Sequence, residues 1–147
     1  SQFARGYGCG VLDLGAGLDE TVRGFATCAD ACLVVVTDEP TSLTDAYAFI
    51  KVTSRAKPDA DLRIVVNMAT SAKSGERTYA AIAHACETFL RRTPPLVGVI
   101  RRDPMVKDAI RAQAPLFVRH PNSPAAQDVA AIAKALTSVG AQSGPPR

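Results

Sequence analysis

The sequence predicts an α/β domain built on a mostly parallel sheet flanked by helices. Three observations carry this. Short, continuously apolar runs alternate with longer segments of helical periodicity. The runs are apolar at successive positions, as expected of strands covered on both faces. Apolar residues make up 47% of the 147 residues and charged residues 21%, a globular balance sufficient for one core.

In chain order, Gly8 to Leu12 reads as a first strand ending at Asp13. Asp19 to Ala29 is a short helix with Val22, Phe25 and Ala26 on one side, and Cys32 to Val36 is a second strand. Ser42 to Arg55 is a helix whose stripe of Leu43, Ala46, Tyr47 and Ile50 has i, i+3, i+4, i+7 spacing. Ser42 and Asp45 resemble a capping box at its start. Leu62 to Val66 is a third strand. Ser74 to Arg92 is the longest helix, expected to turn Tyr79, Ile82, Ala83, Cys86, Phe89 and Leu90 inward.

Leu96 to Ile100 is a fourth strand. Asp103 followed by Pro104 is a cap-then-proline signal for a helix carrying Val106, Ala109 and Ile110. Leu116 to Val118 reads as a short strand, and Ser123-Pro124 repeats the signal before a last helix. Residues 1–139 are expected to form one domain or part of one, and 140–147 a disordered tail. The abrupt start at Ser1 suggests a cut chain.

Composition excludes several classes. No apolar run approaches the ~20 residues of a membrane span, and no signal-peptide pattern opens the chain. The net charge of +3 is mild, its arginines scattered, so a solvated surface is expected, with a weak patch for nucleic acid or an acidic partner as the alternative. The four cysteines include no C-x-x-C pair and are read as buried, reduced thiols.

In open parallel sheets ligands bind beyond the carboxyl ends of the strands. After the first run comes Asp13-Leu14-Gly15-Ala16-Gly17, an acid followed by a glycine-rich turn. A carboxylate there is a hard oxygen ligand for Mg²⁺, and glycines let backbone N–H groups approach a phosphate. A plain strand-to-helix turn would use the same glycines. Asn67 follows the third strand; its amide can address a base edge or cap a turn. Arg101-Arg102-Asp103-Pro104 follows the fourth. The sequence contains no G-x-x-x-x-G-K-[ST] segment, so this chain alone is expected to hydrolyse no nucleotide and to bind none tightly.

The stretches GVLDLGAGLDETVRGF, ADACLVVVTDEPTSLTDAYAFIKV, RIVVNMATSAKSGE and VGVIRRDPMVKDAIRAQAPLFVRHPNSPAAQDVAAIAKAL resemble the second half of MinD/ParA-type ATPases. Within that group they are most similar to flagellar-number regulators of the FlhG/FleN kind, chiefly through EPTSLTDAYAFIK and the D-P-x-V-x-x-A-x-x-x-Q-x-P segment. The resemblance implies a P-loop-type fold, incomplete here, with the phosphate loop in an earlier half. It implies that Asp13 helps position Mg²⁺ and the hydrolytic water, and that Gly15 and Gly17 form the switch. Asn67 would contact adenine, and the loop holding Arg101 and Asp103 would form a second adenine-side edge. Relatives often carry proline where Arg101 stands, which leaves that edge in question.

The family dimerises around ATP, so Glu39, Pro40 and Thr41 are expected at the dimer face. ATP and Mg²⁺ are the implied cofactors of the full-length protein. Implied partners are a second copy, a flagellar GTPase, switch proteins or a transcriptional activator. The implied location is cytoplasmic, polar or peripheral to the inner membrane. The last helix lacks a cationic, bulky-apolar surface-seeking face, so no strong membrane binding by this chain is expected. A ParA-like partitioning ATPase, a natural pseudo-ATPase and a non-catalytic interaction module remain as alternatives.

Overall fold

The computed structural model describes residues 9–15, 17 and 20–140. The elements are α1 (Glu20–Cys28), β1 (Cys32–Val36), α2 (Pro40–Ala56), β2 (Leu62–Ala69), α3 (Ala72–Leu90), β3 (Leu96–Arg101), α4 (Pro104–Arg111), α5 (Leu116–Arg119) and α6 (Pro124–Gly140). Three strands pair in the order β1-β2-β3, both pairings parallel. Parallel neighbours need a crossover, and α2 and α3 supply the two crossovers. The expected α/β class with a parallel sheet flanked by helices is therefore the observed one.

The core lies between the sheet and the α2–α3 layer. Val34 and Val36 of β1, Leu62, Ile64 and Val66 of β2, Ala46 and Ile50 of α2, and Ile82 and Cys86 of α3 form one buried cluster. A register shift between Ile64 and Val65 allows both Leu96 and Val99 of β3 to join it. Gly75 sets how closely α3 approaches: a Cβ there would overlap a methyl of Val99 and lie 2.8 Å from the other. On the opposite face α6 packs on β3, where a Cβ on Gly98 would come within 2.5 Å of Ile132.

Strand β3 is thus covered on both sides, but β1 is not. Leu33 and Val35 alternate with the buried Val34 and Val36, and Val35 is 56% exposed. At the amino ends of β2 and β3, Arg92 ties the two loops that lead into them by donating to the carbonyls of Pro58 (2.7 Å) and Ala60.

Several expectations are corrected. Residues 9–12 of the expected Gly8–Leu12 strand adopt no strand, and Val11 and Leu12 are exposed; Gly8 lies outside the described residues. A strand exists only as a paired edge, and no described strand pairs with this glycine-containing run. Leu116–Val118 is a helical turn, part of α5, held by Pro115-carbonyl bonds from Val118 and Arg119. Helix α2 begins at Pro40, not Ser42, because proline favours the first helical position; Ser42 Oγ instead accepts from the Thr37 amide at 3.0 Å.

Phe89, expected inward, is exposed, as are Cys9 and Cys28, expected buried. Helix α6 runs to Gly140, and residues 141–147 of the expected tail lie outside the described residues. No helix among the described residues is long and apolar enough to cross a membrane.

Candidate functional site

Because the three strands are parallel, their carboxyl ends share one rim. Val36 pairs with Val66 and Ala69 with Arg101, so Thr37, Asn67 and the loop after Arg101 are neighbours in register.

The middle of the rim is irregular. The β2–β3 register shifts between Val66 and Ala69, and Met68 takes a left-handed φ of 57°. That conformation costs a non-glycine residue roughly 1–2 kcal/mol. The Asn67 Oδ1 accepts from the Met68 amide at 2.8 Å, which locally offsets the cost. With its carbonyl so engaged, the half-buried Asn67 keeps its NH₂ donors without a protein partner among the described residues, and the next side chain, Met68, is exposed. A hydrogen-bond donor next to an apolar, polarisable thioether suits the edge and face of a planar base.

The β1 side of the rim is a turn. The Glu39 amide approaches Thr37 Oγ1 at 3.4 Å, and Glu39 is the N-cap of α2 without a side-chain cap bond. Glu39, Pro40 and Thr41 are all exposed.

The β3 side is fixed by two carboxylates. Asp128 of α6 accepts from the Arg101 backbone N–H (2.9 Å), from Nε (2.8 Å) and, through its other oxygen, from Nη2 (2.8 Å). The bond from the Arg101 guanidinium holds the Asp128 carboxyl below the usual carboxylate range, against some desolvation. Asp103 is buried and caps two helices. Its Oδ1 accepts from Met105 N at 2.9 Å and its Oδ2 from Ala125 N at 3.0 Å. The Ala125 amide, then the Met105 amide, depress its pKa. The Arg102 amide donates to the Ala69 carbonyl at 2.8 Å, continuing the β2–β3 ladder.

Arg101 and Asp103, both expected at a nucleotide, therefore have side chains engaged within the fold. What the 101–104 loop offers a ligand is a rigid backbone. Asp128 was not legible as part of this rim; its only sequence signal is an acid one turn after the Ser123-Pro124 cap. The strain at Met68 has no sequence signal.

The remaining predicted residues, Asp13, Gly15 and Gly17, precede α1 and belong to no strand. Asp13 is exposed and has no hydrogen bond or ion pair among the described residues. A Cβ on Gly15 or Gly17 would meet nothing within 4 Å, though the φ of 145° at Gly17 is one that only glycine adopts readily. No group of three or more His, Cys, Asp or Glu among the described residues could hold a metal. Burial raises the thiol pKa values of Cys32 and Cys86. A separate groove of about 420 Å³ between α2 and α3 is lined by Leu43, Thr44, Tyr47, Ala81, Ile82, Ala85 and Phe89, with no carboxylate, amine, imidazole or thiol to do chemistry.

No protein-family model matches the chain. Among curated proteins it is 36% identical over 128 residues to the antiactivator FleN of Pseudomonas aeruginosa, covering 87% of this chain and 46% of FleN. It is 30% identical over 129 residues to the flagellum site-determining protein YlxH of Helicobacter pylori, covering 87% of this chain and 43% of YlxH. The chain is similar to the MinD/ParA-type ATPases and, within them, to FleN. The cell division ATPase MinD of Pyrococcus furiosus shares its fold, with a TM-score of 0.67 at 20% identity over 86% of this chain and 50% of MinD. The chain thus spans about half the length of the relatives it matches.

Proposed function

We propose that this chain is the second half of a MinD/ParA-like, ATP-dependent switch that regulates flagellar number and placement in the cytoplasm. The observation that carries the reading is the similarity, over 87% of the chain, to the antiactivator FleN and to YlxH, a flagellum site-determining protein by name. The rim supports it from the physical side.

The residues present fit the base end of a nucleotide. Asn67 has donors free of protein partners among the described residues, Met68 offers an apolar surface, and the 101–104 backbone is held by Asp103 and Asp128. At the phosphate end Asp13 would serve Mg²⁺ as an oxygen ligand or through a bound water, and Gly15 and Gly17 would admit a phosphate to the backbone. Mg-ATP, when bound, would supply the γ-phosphate to which a switch segment responds. The phosphate loop and the hydrolysis itself are assigned to the other half of the full-length protein. That half also accounts for the open face of β1, where Leu33 and Val35 await a covering layer. Glu39, Pro40 and Thr41, exposed beside the rim, are placed at the face of an ATP-held homodimer.

The test uses the protein expressed from its whole gene. Mg-ATP binding is measured by calorimetry for the wild type, Asn67→Ala and Asp13→Ala, and flagella are counted in cells carrying each. Asn67→Ala is expected to weaken ATP binding about tenfold, the worth of one hydrogen bond to a ligand plus lost packing. Asp13→Ala is expected to spare binding more than hydrolysis. Absence of ATP binding by the whole protein would sink the switch reading. Normal flagellar counts in a deletion strain would remove the flagellar role and leave partitioning to be tested.

A further inference from the structure

The corner formed by α4 and α5 carries charge and apolar surface that the nucleotide rim does not use. Residues 101–120 hold five Arg and Lys against two Asp, a surplus of three equal to that of the whole chain. Both carboxylates are engaged inside the fold. Asp103 caps α4 and α6. Asp108 Oδ2 accepts from Arg119 Nε at 2.5 Å and lies 2.7 Å from His120 Nε2. Arg101 is bound to Asp128. The side chains of Arg102, Lys107 and Arg111 are exposed, and no hydrogen bond or ion pair engages them among the described residues.

Lys107, Ile110 and Arg111 follow i, i+3, i+4 spacing and so share one face of α4. Ile110 is 69% exposed. The Asp108 contacts pin the end of α5 to α4, and on α5 Val118 is 76% and Phe117 48% exposed. Bulky apolar side chains therefore stand out beside unpaired cations on a short, braced corner.

We propose that the α4–α5 corner is a docking surface for an acidic, apolar-bearing segment of a partner protein. Carboxylates of that segment would meet Arg102, Lys107 and Arg111, and its apolar residues would cover Ile110, Phe117 and Val118. Charge complementarity selects the acidic partner. A nucleic acid would match the cations with phosphates but leave the protruding Ile110 and Val118 uncovered. A bilayer is the weaker fit. Helix α4 has eight residues and α5 four, which gives little continuous apolar face to embed.

The test measures, by fluorescence anisotropy, binding of the whole protein to short synthetic peptides with Glu and Leu at helical spacing. A Glu-containing peptide lacking Leu, phosphatidylglycerol vesicles and duplex DNA are run in parallel. The Glu/Leu peptides are expected to bind saturably and to weaken with added salt. Lys107→Glu with Arg111→Glu, and separately Ile110→Ser with Val118→Ser, should each weaken binding about tenfold. Phe89→Ser on α3 should not. Thermal melts and ATP binding of every variant check that the fold and the rim are intact. The proposal is overturned if no Glu/Leu peptide binds, if binding survives both double variants, or if the Leu-free peptide binds equally well. It is also overturned if vesicles or DNA, and not peptides, show the dependence on these residues.

Discussion

Thr53 sits on the buried side of α2 with its hydroxyl lacking any partner among the described residues. A buried, unbonded hydroxyl forfeits its hydration without return, so Thr53→Val should stabilise the fold by about 1 kcal/mol. The check is a urea midpoint that rises at unchanged slope. Asp108 gives a pH-dependent counterpart. The bond from Arg119 Nε, then the contact with His120, pull its carboxyl down to about 2. An unfolded aspartate titrates near ~3.9. The tie between α4 and α5 is therefore fully present above about pH 4 and is lost as pH falls toward about 2. Thermal midpoints should fall more steeply over that window for the wild type than for Asp108→Asn. Cys86, buried and with its thiol pKa raised, was legible as a core residue from helical spacing alone.

At the scale of elements, small residues decide how layers approach. Gly75→Ala would gain up to about 1 kcal/mol of helix propensity but force its methyl into Val99. A β-branched side chain on a covered strand has little freedom to rotate away, so a net loss of about 1–3 kcal/mol is expected. Val99→Ala in the same chain should recover much of that loss, a coupling that a double-mutant cycle reads directly. Asp103 joins two helix starts through one carboxylate. Asp103→Ala should lower the melting temperature more than Ser71→Ala, because Ser71 caps only α3, through the Ser74 amide. The cap-then-proline pattern made the starts of α4 and α6 legible in the sequence. The same rule, applied to Pro40, would have moved the start of α2 to its observed place. The expected strand at Leu116–Val118 shows the limit of short apolar runs: three apolar residues carry no period, and the Pro115 carbonyl decided for a helical turn.

Across the whole molecule, helices cover both faces of β3 but leave one face of β1 exposed. The apolar residues exposed on β1, Leu33 and Val35, were expected on a covered strand. If a further layer covers β1 in the full-length protein, hydrogen exchange in β1 should be slower there than in this chain alone. The sequence by itself determined the alternation of strands and helices and the parallel pairing that follows from it. Those features depend on local periodicity and on turn and cap chemistry, which act over a few residues. It put Asn67 after a strand ending at Val66, whereas β2 runs on through Asn67 to Ala69, and β3 likewise takes in Arg101. Only the tertiary structure decided that Arg101 and Asp103 brace the rim, that Asp128 reaches it from α6, that Met68 is left-handed, and that Ile110 and Val118 face outward. Each of these depends on which distant segment lies alongside, and packing partners are not encoded in the spacing of a single element.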